Sequence, residues 1–163
     1  MKPLAAAACL ALAACVPWVV RPIENQGAER FDPVRYVDSI WDSKVVPEPT
    51  LMKGRGKVLR IEPDRLLVDT APLDGRPDIA VLTGPVIRGT ALRDALPFIQ
   101  FSQFVNQLEF ARVGNALNER AVKVAQAAQV KAGDTVRFTG APLKTGGLLE
   151  IVPVALSILR EQP

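Results

Sequence analysis

Histidine is absent from the 163 residues. That excludes His-based catalytic triads, histidine metal sites and the commonest general base near neutral pH. Cysteine occurs only at Cys9 and Cys15, both in the N-terminal apolar stretch, so the body of the chain has neither disulfide nor free thiol and must fold on its hydrophobic core alone. Rings are few: Trp18, Trp41, Tyr36 and six Phe, most of them where burial is expected, which disfavours a stacking platform for nucleic acid. Charge is nearly balanced. The formal net charge of +3 falls to +2 if Lys2 is removed, too little to argue for nucleic acid or strong anionic-lipid attraction. There is no repeat period, low-complexity tract or coiled-coil heptad.

What is present begins with Lys2 and an apolar run from Leu4 to Ala14, too short to span a bilayer, ending in Leu12-Ala13-Ala14-Cys15. The pattern resembles a bacterial lipoprotein signal. Small residues before the cysteine fit a signal peptidase, and the Cys15 thiol accepts a diacylglyceryl group before cleavage leaves it N-terminal. On this reading 1–14 is the signal peptide and 15–30 a tether; the alternative is an uncleaved anchor from Pro3 through Val20. Either way the domain is expected outside the cytoplasm, tethered to a membrane, and Val16 beside the lipidated cysteine favours the outer membrane in a Gram-negative host. The chain left after the signal, about 148 residues, suffices for one core, since a domain of that size buries roughly 68–70% of its unfolded surface, and 31–163 is expected to be that single domain.

Asp32-Pro33 is a strong helix start, and Val34, Val37, Ile40 and Trp41 mark the buried face of a helix over about 33–44. Residues 47–53 read as a connector. Three strands follow, Gly56–Ile61, Arg65–Thr70 and Asp78–Thr83, separated by turn signals. A helical insertion over about 89–129 comes next. It holds a short helix capped by Thr90 and stopped by Pro97, an apolar burst Phe98, Ile99, Phe101 and Phe104 expected to be buried, a turn capped by Ser102, and a long helix from about Glu109 to Gln129. Gly133-Asp134 opens a fourth strand with Val136 and Phe138 on one face, and Gly146-Gly147 turns into a fifth, Leu148–Leu159, with Pro153 marking an edge or bulge. Strand, strand, strand, helix, strand, strand is the order of a five-stranded OB-like β-barrel, so the expected class is α+β, an OB-like barrel with a helical insertion between strands 3 and 4 and an N-terminal helix.

No catalytic or metal-binding signature accompanies this fold, and no cofactor is implied. Lys53-Gly54-Arg55-Gly56-Lys57 lacks the spacing and the Ser/Thr of a P-loop and precedes a strand. Leu73–Asp78 carries two carboxylates around a glycine but too few oxygen ligands for calcium, and reads as a β-turn. The candidate recognition residues are Arg88, Gly89, Arg93, Asp94, Asn106 and Gln107, where the third strand passes into the insertion. Guanidinium forks and amides suit hydroxyl-rich or carboxylated solutes, or an acidic partner surface. The competing reading is that these residues satisfy one another.

Three segments, FDPVRYVDSIWDSKVVP, GPVIRGTALRDALPFIQFSQFVNQLEFARVGNALNERA and GDTVRFTGA, together resemble the bacterial periplasmic lipoproteins grouped as DUF2291. The resemblance covers most of Phe31 to Leu159. It implies an envelope lipoprotein, OB-like with a helical portion, often expected beside sugar ABC-importer genes, and carries over no catalytic residues. The expected function is therefore a non-enzymatic accessory of solute uptake, binding importer components or a small polar solute. The alternative is an envelope hydrolase acting on a sugar or glycan through carboxylates.

Overall fold

A computed structural model describes residues 31–144 and 147–160; the signal segment 1–14, Cys15, the tether 15–30 and Gly146 of the expected turn lie outside the described residues. Helix α1 (Pro33–Ile40) starts as its sequence dictates. The Asp32 carboxylate accepts from the Val34 and Arg35 N–H groups at 3.0 and 3.2 Å, and Pro33 stands at the first position, where a missing N–H costs nothing. A single π turn, Trp41–Val45, continues it, with Val46 N–H donating to the Trp41 carbonyl at 2.9 Å. Trp41 and Val45 are thereby turned into the core. No helix among the described residues is long and apolar enough to cross a membrane.

Five strands follow: β1 (Met52–Ile61), β2 (Arg65–Asp69), β3 (Ile79–Leu82), β4 (Thr135–Lys144) and β5 (Leu149–Ile158). They close into a barrel in the order β1-β2-β3-β5-β4, antiparallel throughout except for the parallel pair β3–β5. Strand β1 begins four residues earlier than the sequence implies, and the reason is glycine. In Lys53-Gly54-Arg55-Gly56-Lys57 the cations point outward and are exposed, while Gly54 and Gly56 face inward, where the Phe138 ring and the Asp69 carbonyl occupy the space a Cβ would need. The motif is a period-2 strand whose inner face had to be small. Pro153 lies beside a register irregularity of the β4–β5 ladder, the bulge the sequence suggested.

Between β3 and β4 the chain forms α2 (Ala91–Asp94), a 3-10 turn (Phe101–Gln103) and α3 (Gln107–Ala127), which packs on β5 and on α1. Two cores result. One fills the barrel with Val58, Val68, Val81, Val136, Phe138 and Ile151; the other lies between barrel and helices around Trp41, Leu92, Leu96, Leu117 and Val152. In β5, Ile151 joins the first and Val152 and Val154 the second, which explains an apolar run buried on both faces.

The Phe burst departs from expectation. Ile99 is buried and Phe98 and Phe104 are half-buried, but Phe101 stays 48% exposed, because its ring stands edge-on to Phe110 at 5.6 Å and does not reach the core. Outside the insertion, Arg65 reaches across β3 to Glu150 at 2.6 Å while its other nitrogens bond Asp64. These bonds, first the one to Asp64, hold the guanidinium more firmly protonated than usual and hold the Asp64 carboxyl below its ordinary range.

Candidate functional site

The segment joining β3 to α2 turns twice through the left-handed region, at Gly84 (φ 90) and Gly89 (φ 92), conformations a side chain would strain. Between them Ile87 is buried and pins the loop to the core, leaving Pro85, Val86 and Arg88 outside. Asn118 closes the arrangement from α3. Only 5% exposed, it donates from Nδ2 to the Gly89 carbonyl at 2.9 Å and so fixes the loop's distance from the helix.

Between loop and helix runs a groove of about 430 Å³, with Arg88 and Gly89 on one wall, Asn115, Asn118 and Glu119 on the other, and Ile87 and Val122 supplying apolar surface. Arg88 forms no ion pair among the described residues. The lining combines a guanidinium fork, two primary amides and a carboxylate around a partly apolar wall, an inventory that can donate and accept toward a neutral polyol or an anionic solute.

The sequence-derived candidates divide. Arg88 and Gly89 line the groove. Arg93 and Asp94 pair with each other: Arg93 Nε and one terminal nitrogen donate to Asp94 Oδ1 at 3.0 and 2.7 Å, and the guanidinium lies 4.0 Å from the centre of the Phe110 ring. Thr90 does not cap α2 through its side chain. Its hydroxyl donates to Asp94 Oδ2 at 2.6 Å. Asn106 caps α3 by accepting from Glu109 N–H at 2.9 Å, while Glu109 accepts from Val105 N–H at 3.1 Å; this reciprocal cap starts the helix two residues before the expected Glu109. Gln107 is exposed in the first turn, about 12 Å along the axis from Asn115 at 1.5 Å per residue. Asn115, Asn118 and Glu119 complete the groove. Their signal was the spacing of 115, 118, 119 and 122, one face of a helix.

Hydrogen bonding from Thr90 holds the Asp94 carboxyl below the usual carboxylate range, with partial burial opposing and Arg93 adding to the effect. A carboxylate lowered in the folded state contributes stability above its ordinary pKa, and that contribution disappears as pH falls through the lowered value. Asp94→Asn should lower the melting temperature at neutral pH by an amount worth about 1 kcal/mol or less, because the Asp94 side chain is 55% exposed and its pairing is screened by solvent, and flatten the acid limb of melting temperature against pH. An acid limb identical to that of the wild type would contradict this.

Elsewhere, carboxylates of the 69–78 turn serve the turn itself. Asp69 accepts from Gly75 N–H, Asp74 from Arg76 N–H, and Asp78 from the Thr70 N–H and hydroxyl. No cluster of three or more metal-ligating side chains occurs among the described residues.

A family model described as a predicted periplasmic lipoprotein, DUF2291, matches residues 49–157. A crystal structure of an OB-fold protein from Thermotoga maritima is similar with a TM-score of 0.60 and 18% identity, covering 79% of this chain and 99% of that one. At that identity the likeness shows the fold, a five-stranded OB barrel with helices. No curated protein matches this chain in sequence.

Proposed function

The chain belongs to the DUF2291 family of predicted periplasmic lipoproteins, and from that premise we propose that its barrel is a non-catalytic binding module, held at the envelope membrane by a lipid on Cys15, that takes a small polar solute into the groove beside α3 as an accessory of solute import. Sorting to the outer membrane in a Gram-negative host belongs to the same reading. The observation that carries it is the groove's lining: Arg88, Asn115 and Glu119 present donors and an acceptor around the apolar wall of Val122. A glycan hydrolase working through carboxylates needs two acids flanking one bond, and Glu119 is the one acid lining this groove among the described residues.

The test is a thermal-shift screen against sugars, polyols and small carboxylates, followed by titration of the best solute. Arg88→Ala removes a charged hydrogen bond worth about 1.5–3 kcal/mol, so affinity should fall about 10- to 150-fold with the melting temperature unchanged. Unchanged affinity in Arg88→Ala would remove the groove from recognition. Turnover of a glycan that Glu119→Gln abolishes would replace binding by hydrolysis.

A further inference from the structure

The insertion presents a second surface that the groove does not use. Pro97 to Leu108 contains no charged residue, in a chain of which 23% is charged. Within it Phe101 is 48%, Leu108 59% and Val105 88% exposed. Three large apolar side chains held in water within eight residues, on the longest charge-free stretch of the insertion, point to a covering that is itself apolar.

The position of the segment says what covers it. Phe31, the first described residue after the tether, packs edge-on against Phe104 at 5.5 Å, and Tyr36 packs against both. Phe104 in turn meets Phe110 at 5.6 Å, and Phe110 meets Phe101. A continuous set of rings thus joins the point where the tether enters the domain to the exposed tip, and Val105 directly follows Phe104. Sixteen residue steps separate Cys15 from Phe31, a reach of at most about 55 Å when fully extended. An anchored domain therefore keeps this end beside the bilayer at high effective concentration, where weak apolar contacts suffice.

The local chemistry suits a headgroup layer. Glu109, the nearest acid in sequence, is folded back onto the Val105 N–H as part of the helix cap. Arg112, exposed one turn beyond Leu108, stands where a cation can meet lipid phosphate while its stem lies along apolar surface.

We propose that the tip from Phe101 to Leu108 contacts the bilayer that carries the Cys15 lipid, with Phe101, Val105 and Leu108 entering its headgroup region. This orients the barrel on the membrane and rests on the lipoprotein reading. It is independent of what the groove binds.

The test uses the full-length, lipid-modified protein in vesicles of phosphatidylethanolamine and phosphatidylglycerol. With Cys9 removed and Cys15 alkylated, Val105→Cys provides a single thiol for an environment-sensitive fluorophore, and Arg76→Cys on the exposed β2–β3 turn provides the control. The Val105 label should shift to the blue, be quenched several-fold more strongly by nitroxide lipids than the Arg76 label, and be shielded from iodide. Equal iodide access at both positions in an anchored protein would overturn the inference and leave the anchor intact. Shielding from iodide without lipid quenching, accompanied by crosslinked dimers, would overturn it in favour of a second copy of the chain. A protein whose Cys15 carries no lipid by mass spectrometry would overturn anchor and inference together.

Discussion

Gly140→Val is expected to leave a chain that cannot close its barrel: insoluble on expression, or soluble without the cooperative unfolding transition of the wild type. A Cβ at Gly140 would fall on the Val152 carbonyl oxygen, 2.6 Å from Ile151 Cγ2 and 2.9 Å from Pro153 Cα. Two of these three are backbone atoms of β5, paired directly with this residue beside the bulge, so they yield only if the β4–β5 ladder opens. Overpacking against mobile side chains costs about 1–3 kcal/mol, and occasionally more. Against fixed backbone the cost approaches the whole of a domain's stability, about 5–15 kcal/mol. Gly56 faces the Asp69 carbonyl in the same way, whereas Gly54 faces only the Phe138 ring. Circular dichroism and thermal unfolding of Gly140→Val and Gly54→Ala should therefore separate them, the first unfolded and the second folded with a lower melting temperature. A Gly140→Val protein as stable as the wild type would contradict the strand pairing described here.

The second large effect is at Trp41. Its ring is 2% exposed at the centre of the core between helices and barrel, with the Arg120 guanidinium 5.7 Å from it. Trp41→Ala deletes that volume where α1, α3 and the barrel meet, and should cost about 3–5 kcal/mol in denaturant unfolding. Phe104→Ala should cost less, because Phe104 is half-buried and its neighbours are other rings of the insertion. An unchanged unfolding midpoint in Trp41→Ala would place that ring at the surface.

The order of elements was legible because Gly, Pro and Asp punctuate short β-branched runs and because Asp32-Pro33 leaves little choice of helix start. The start of β1 was hidden because inward-facing glycines give no hydrophobic alternation, although the outward Lys53, Arg55 and Lys57 keep the period of two. Phe101 shows a different limit. Apolar identity alone does not reveal that a ring will stack on Phe110 at the surface, since that depends on where the 3-10 turn meets α3.

For the candidate site, the residues singled out from sequence take up different roles in the fold. Arg88 and Gly89 line it, while Arg93 and Asp94 engage each other and Asn106 caps α3. Those competing roles arise from neighbours within four residues, and such local partners are available to any Asn, Asp or Thr at a helix start. Asn118 was less legible as a wall of the groove, because its bond to Gly89 spans 29 positions and exists only once α3 has folded back over the loop.

Whether the groove between the 85–90 loop and α3 is the recognition surface is decided by residue-resolved amide chemical-shift mapping during titration with the solute that stabilises the protein best. Shifts that saturate together at Arg88, Gly89, Asn115, Asn118 and Val122, with the outer faces of β1 and β4 unmoved, are the predicted result. Saturable shifts confined to the barrel strands around Arg55, Lys57 and Thr135, with the groove silent, would contradict it.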